Sequence, residues 1–106
     1  MIRILLTTFA SEDAAALVVR TLVEERLAAC GTILPGARSI YRWNGEIEDA
    51  SETLVLLKTT AASSAALEAR LRELHPYEVP EVVLFDPASA GSAYSQWLED
   101  CCRPVC

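Results

Sequence analysis

A chain of 106 residues and 11.6 kDa is the size of one domain, so residues 1–106 are read as a single folding unit. With 52% hydrophobic and 23% charged residues it can build a core without disulfides or metal, which excludes disorder. Nine Lys and Arg against fifteen Asp and Glu leave a net charge of −6 without the basic face that nucleic-acid binding needs, and no apolar run approaches the ~20 residues of a membrane span.

Ile2–Thr7, rich in Ile and Leu, predicts a buried first strand. No apolar leader precedes it, so a cytoplasmic location is expected. Ser11 is an N-cap candidate, and Glu12 and Asp13 add the negative charge that a helix N-terminus favours. Ala15, Val18, Val19, Leu22, Val23 and Leu27 then fall on one stripe of a helix predicted to run to about Ala29, with Gly31 as its left-handed stop.

Thr32–Trp43 reads as strand with a bulge or bend at Pro35-Gly36. Asn44-Gly45 tolerates the two positive φ angles of a type I′ turn, so a hairpin returns through Glu46 towards Thr60. That return strand starts polar and ends continuously apolar at Leu54-Val55-Leu56-Leu57, as expected of a central strand buried on both faces. A second helix is predicted from Ser63 or Ser64 to Leu74, ended by His75-Pro76 because the residue before proline leaves the α region. Glu81–Phe85 reads as a fourth strand and Ser92–Cys102 as a third helix.

The order β-α-β-β-α-β plus a final helix predicts an α+β, ferredoxin-like domain: an antiparallel sheet with two helices on one face, an extended hairpin and a C-terminal helix. At about 3.3 Å per residue the Thr32–Trp43 arm reaches roughly 40 Å before any bend, against a diameter of roughly 34 Å for a compact chain of this length. The hairpin should therefore overhang its sheet and expose Tyr41, Arg42, Trp43 and Ile47. Aromatic and Arg side chains are typical interface anchors, so these four are the candidate subunit contacts.

No phosphate-binding glycine loop, zinc motif of two close cysteine pairs or nucleophile elbow is present. His75-Pro76-Tyr77-Glu78-Val79-Pro80-Glu81 is the densest polar and aromatic string. It reads either as a cation or polar-ligand site or as a proline-shaped connection whose histidine offsets the helix dipole. Lys58 either reaches out past the sheet edge or pairs with Glu78 or Glu81. Four cysteines occur, Cys30 alone and Cys101, Cys102 and Cys106 together, and reduced thiols are expected. Cys30 reads as a small buried hydrophobe or a weak ligand. Residues 101–106 read as a flexible tail whose thiolates either take a soft metal ion or stay idle.

Taken together, Leu22-Val23-Glu24-Glu25-Arg26-Leu27-Ala28-Ala29-Cys30, Pro35-Gly36, Ser39-x-Tyr41-x-Trp43-x-Gly45, Leu57-Lys58-Thr59-Thr60, the His75–Glu81 string and Tyr94-x-x-Trp97-Leu98 resemble the CutA divalent-ion tolerance proteins. The resemblance runs from about Ile4 to Leu98. It implies a homotrimer, similar in architecture to the PII signalling proteins, linked to tolerance of copper and other divalent cations and without an established catalytic activity. In some members a cysteine near the end of the first strand joins histidines of the HPY region in a proposed copper site; here those positions hold Thr7 and Leu74, so His75 alone carries over. The expected function is divalent-cation response by binding. The alternatives are a regulator holding a small metabolite or protein partner in intersubunit clefts lined by Lys58, Tyr77, Glu78, Glu81, Tyr94 and Trp97, and an enzyme assembled between subunits from His75, Tyr77, Glu78 and Lys58. No nucleic-acid or membrane partner is expected.

Overall fold

The computed structural model describes residues 1–104. In chain order the elements are β1 (Ile2–Phe9), α1 (Glu12–Glu24), β2 (Cys30–Trp43), β3 (Glu46–Thr60), α2 (Ser64–Leu74), β4 (Val83–Phe85) and α3 (Ser92–Cys101). The strands form one antiparallel sheet in the order β2-β3-β1-β4, the two interleaved β-α-β units of the ferredoxin-like arrangement. Leu5 pairs with Leu57 and Thr7 with Val55, and from this register alternate side chains go to opposite faces of the sheet.

One face carries the main core. Leu5, Phe9, Val55 and Leu57 meet Val18, Val19 and Leu22 of α1 and Leu67 and Leu71 of α2. Ser11 caps α1 as expected, its hydroxyl accepting from the Ala14 N–H at 3.1 Å. The helix stops earlier than its apolar stripe. Arg26 takes the left-handed conformation at φ 61°, its N–H bonding Val23 O at 3.0 Å while Leu27 N–H bonds Leu22 O at 3.0 Å. That is a Schellman stop with the side chain of Leu27 turned back on the core, so Leu27 belongs to the stop and not to a further turn. Gly31 lies instead inside β2, where an added Cβ would come within 2.5 Å of Val19 Cγ1. Its role is close approach of helix and strand.

The hairpin follows the sequence closely. Asn44 and Gly45 take φ 50° and 81°, and the β2–β3 register shifts between Leu34 and Ala37, at Pro35-Gly36. The long ribbon stretches the molecule to 47 × 28 × 21 Å. The radius of gyration is 14.4 Å, against about 13 Å for a compact chain of this length. The fourth strand is shorter than predicted and begins only at Val83, because the proline-bearing stretch before it bends at residues 76–79 and stays irregular over residues 80–82.

The second face is covered at one end only. There α3 sets Leu98 and Cys102 against Ile2 and Ala29. Residues 101 and 102 are not part of a tail: Cys101 is the last residue of α3, and Cys102 caps the helix and is buried. Cys106 lies outside the described residues. Elsewhere on this face Leu34, Val83 and Phe85 stand more than two-fifths exposed.

Candidate functional site

His75 ends α2 in extended conformation, with ψ 132°, because Pro76 follows it. Its ring stacks on Phe9 at 4.3 Å between centroids and 16° between planes, and tilts against Tyr77 at 4.8 Å. Nδ1 accepts the Tyr77 N–H at 3.1 Å, and Nε2 lies 2.8 Å from Thr8 O. A backbone N–H can only donate and a carbonyl can only accept, so the ring is the neutral Nε2–H tautomer. Burial lowers its pKa, with the Thr8 carbonyl acting in the opposite sense. The expected ligand atom is therefore committed: both nitrogens hold the turn, and neither presents a free lone pair to a cation.

Thr7 is fully buried on the helix-covered face, and its hydroxyl has no partner among the described residues. It faces the same core as Phe9, on which the His75 ring stacks. Among the described residues no three His, Cys, Asp or Glu side chains come close enough to hold a metal ion.

The predicted cleft residues separate into two places. Lys58 sits opposite Cys30 in the β2–β3 ladder, and its Nζ donates to Thr32 Oγ1. It pairs with neither Glu78 nor Glu81. Cys30 Sγ is 3.7 Å from Tyr94 Oη, and the Tyr94 and Trp97 rings are 5.6 Å apart on α3. Burial, then the thiol of Cys30, raises the Tyr94 phenol pKa. Burial likewise pushes up the neighbouring Cys102 thiol, opposed by the Thr59 hydroxyl. This corner holds Lys58, Cys30, Tyr94 and Trp97, with Cys101 and Cys102 at the end of the same helix.

Tyr77, Glu78 and Glu81 lie at the other place, a groove of about 800 Å³ between the hairpin and the loop that follows α2. Tyr41 and Trp43 of β2 form part of its wall, while Arg42 and Ile47 face each other across the ladder and do not line it. Sequence reasoning missed Thr8, Ser39 and Glu52, which also line the groove. The only sequence signal for Glu52 was the polar start of the return strand. Desolvation raises the Tyr77 phenol pKa, and the negative charge of Glu52 adds to it. Within one chain, then, Lys58 is separated from the His75 and Tyr77 side, so His75, Tyr77, Glu78 and Lys58 do not assemble.

Residues 3–101 match the family model described as CutA1 divalent ion tolerance protein. The chain is 45% identical to the divalent-cation tolerance protein CutA of Thermus thermophilus, over 94% of this chain and 97% of that one. It is 39% identical to the protein of the same name from Pectobacterium atrosepticum, over 90% and 86%. Its fold is similar to that of the divalent ion tolerance protein CutA1 from Ehrlichia chaffeensis, with a TM-score of 0.93 at 31% identity over 97% and 96% of the two chains.

Proposed function

This chain belongs to the CutA1 divalent ion tolerance family, and on that premise we propose that it acts in the response to divalent cations as a homotrimer, by binding rather than by catalysis. The observation that supports assembly is the uncovered sheet face. Leu34, Val83 and Phe85 continue the apolar surface of β1 and β3 past the end of α3, and the hairpin beyond them exposes Ile40, Trp43 and Ile47. Isolated two-stranded ribbons are marginal in water, and open apolar faces and edges invite association. A closed ring of subunits removes both problems for every copy. Three subunits is the number that the family resemblance implies.

The donor set of one described chain does not fit a resident copper ion: His75 has both nitrogens engaged, and no three ligand side chains converge. The reading therefore gives contacts with copper or another divalent cation to the assembled protein. Calorimetric titration of Cu(II) into the wild type and into Phe85→Glu, which places a charge on the open face, tests this. Saturable binding by the trimer with at least tenfold weaker binding by a folded monomeric variant is expected. Equal binding by both, or none by the trimer, overturns it.

A second reading, a regulator that binds a small molecule, is favoured by the groove. Its volume falls within the roughly 300–1,000 Å³ of small-molecule sites.

A further inference from the structure

Residues 76–82 join α2 to β4, and their backbone is almost free of hydrogen bonds. Pro76 and Pro80 have no N–H to give. Among the described residues no backbone-to-backbone bond involves this stretch, and its one bond to a side chain runs from Tyr77 N–H to His75 Nδ1 at 3.1 Å. Pro76, Glu78, Val79 and Glu81 are exposed. What else holds the loop is the tilted contact of the Tyr77 and His75 rings, and Val82 packed on the main core. A single acceptor therefore docks the loop, and it belongs to the only histidine of the chain.

The two ring nitrogens respond to a proton in opposite ways. Nε2–H already donates to Thr8 O, a bond that a positive ring strengthens. Nδ1 accepts, and once protonated it becomes a second donor aimed at the Tyr77 N–H. Two N–H groups cannot form that bond. The ring keeps its place on Phe9 and Thr8, and the turn has to leave. No charged side chain from any element counters this: burial and the Thr8 carbonyl are what act on the imidazole. On α2, Arg72 is paired with Glu68 and Glu73 with Arg70. From the hairpin, Glu52 and Tyr41 act on Tyr77 and not on the ring. Glu78 and Glu81 of the loop itself line the groove.

We propose that residues 76–82 are a proton-released flap: protonation of His75 at Nδ1 undocks them from the ring and withdraws Tyr77 from the groove wall. Glu78, Val79 and Glu81 line the same wall, so the proton opens one side of the groove. While the loop is docked, Nδ1 has no lone pair to spare; undocked, it meets water and titrates near the ordinary value of about 6.5. A proton taken up by the undocked form alone raises its population by up to tenfold for each pH unit below that value. The device rests on contacts within one chain and on neither reading of the function.

The test is amide hydrogen exchange, followed by NMR on the full-length protein between pH 7.5 and 5.0, with the ring nitrogens of His75 titrated in the same samples. Protection of the Tyr77 N–H, corrected for the intrinsic pH dependence of exchange, should fall at least tenfold as Nδ1 takes its proton. The Ala29 N–H, bonded to Lys58 O, should keep its protection within twofold. His75→Asn offers an acceptor that does not titrate, and should hold the Tyr77 N–H equally at both pH values. A loss shared by Ala29 means global unfolding and overturns the proposal, as does the same loss in His75→Asn. Should that variant not fold, the wild type decides: a protonated Nδ1 beside an unchanged Tyr77 N–H, or an Nδ1 still unprotonated at pH 5.0, overturns it.

Discussion

The two faces of the sheet come from the same strands and end in opposite states. On the helix side Leu5, Phe9, Val55 and Leu57 are fully buried under α1 and α2. On the other side α3 covers only the Ile2 end, leaving Leu34 42% and Phe85 45% exposed. Both faces are nevertheless written in apolar residues, as the unbroken Leu54–Leu57 run makes plain. A sheet that is apolar on both sides and covered on one is a half-finished layer structure, and the assembly proposed above would supply the second layer from another copy.

The comparison can be broken by substitution. Phe9→Ala on the closed face should cost about 3–5 kcal/mol in denaturant unfolding, because the cavity beside His75 and the helices cannot refill. Leu34→Ala on the open face separates the two accounts. If a neighbouring subunit covers the face, the loss should be about 2 kcal/mol and should shrink towards the bare-face value as dilution dissociates the oligomer. If the face is bare in solution, the change stays within about 0.5 kcal/mol.

The proton sharpens it further. His75 is held neutral by burial, so its folded pKa is depressed below the unfolded value of about 6.5. The unfolded chain binds the proton more readily. The contribution of His75 is therefore fully present above about pH 6.5 and is lost as the pH falls through the folded value. Unfolding free energy should drop between pH 7 and 5, and His75→Gln should flatten that slope; an unchanged slope removes the histidine from the account. The smallest effect has the opposite sign. Thr7→Val keeps the shape and deletes a buried hydroxyl without a partner, so it should leave the unfolding free energy unchanged or raise it, by at most about 1 kcal/mol. A clear loss of stability would mean that the hydroxyl is bonded.

Local signals carried the fold. Asn44-Gly45, Pro35-Gly36 and Ser11 each have one dominant backbone consequence, and each acts where the residues predicted it. Periodicity was less reliable at an element's end. Leu27 continues the stripe of α1 by spacing and yet folds back as part of the helix stop, and so Gly31 looked like a cap when its work is to admit Val19. The site was legible only in part. Tyr77, Glu78 and Glu81 are consecutive enough to be seen as a group, whereas Glu52 and Thr8 join them only through the strand register. His75 stood out as the single imidazole, but its two hydrogen bonds depend on a tertiary contact with Thr8 that no spacing announces.

The claim on which the rest depends is that the open face and the overhanging hairpin are completed by other copies of this chain. Light scattering after size exclusion, at micromolar concentration, measures it directly. The predicted mass is three times the 11.6 kDa of one chain. A monodisperse 11.6 kDa species with native circular dichroism would contradict it, leaving the apolar face uncovered and the cation without an assembled site.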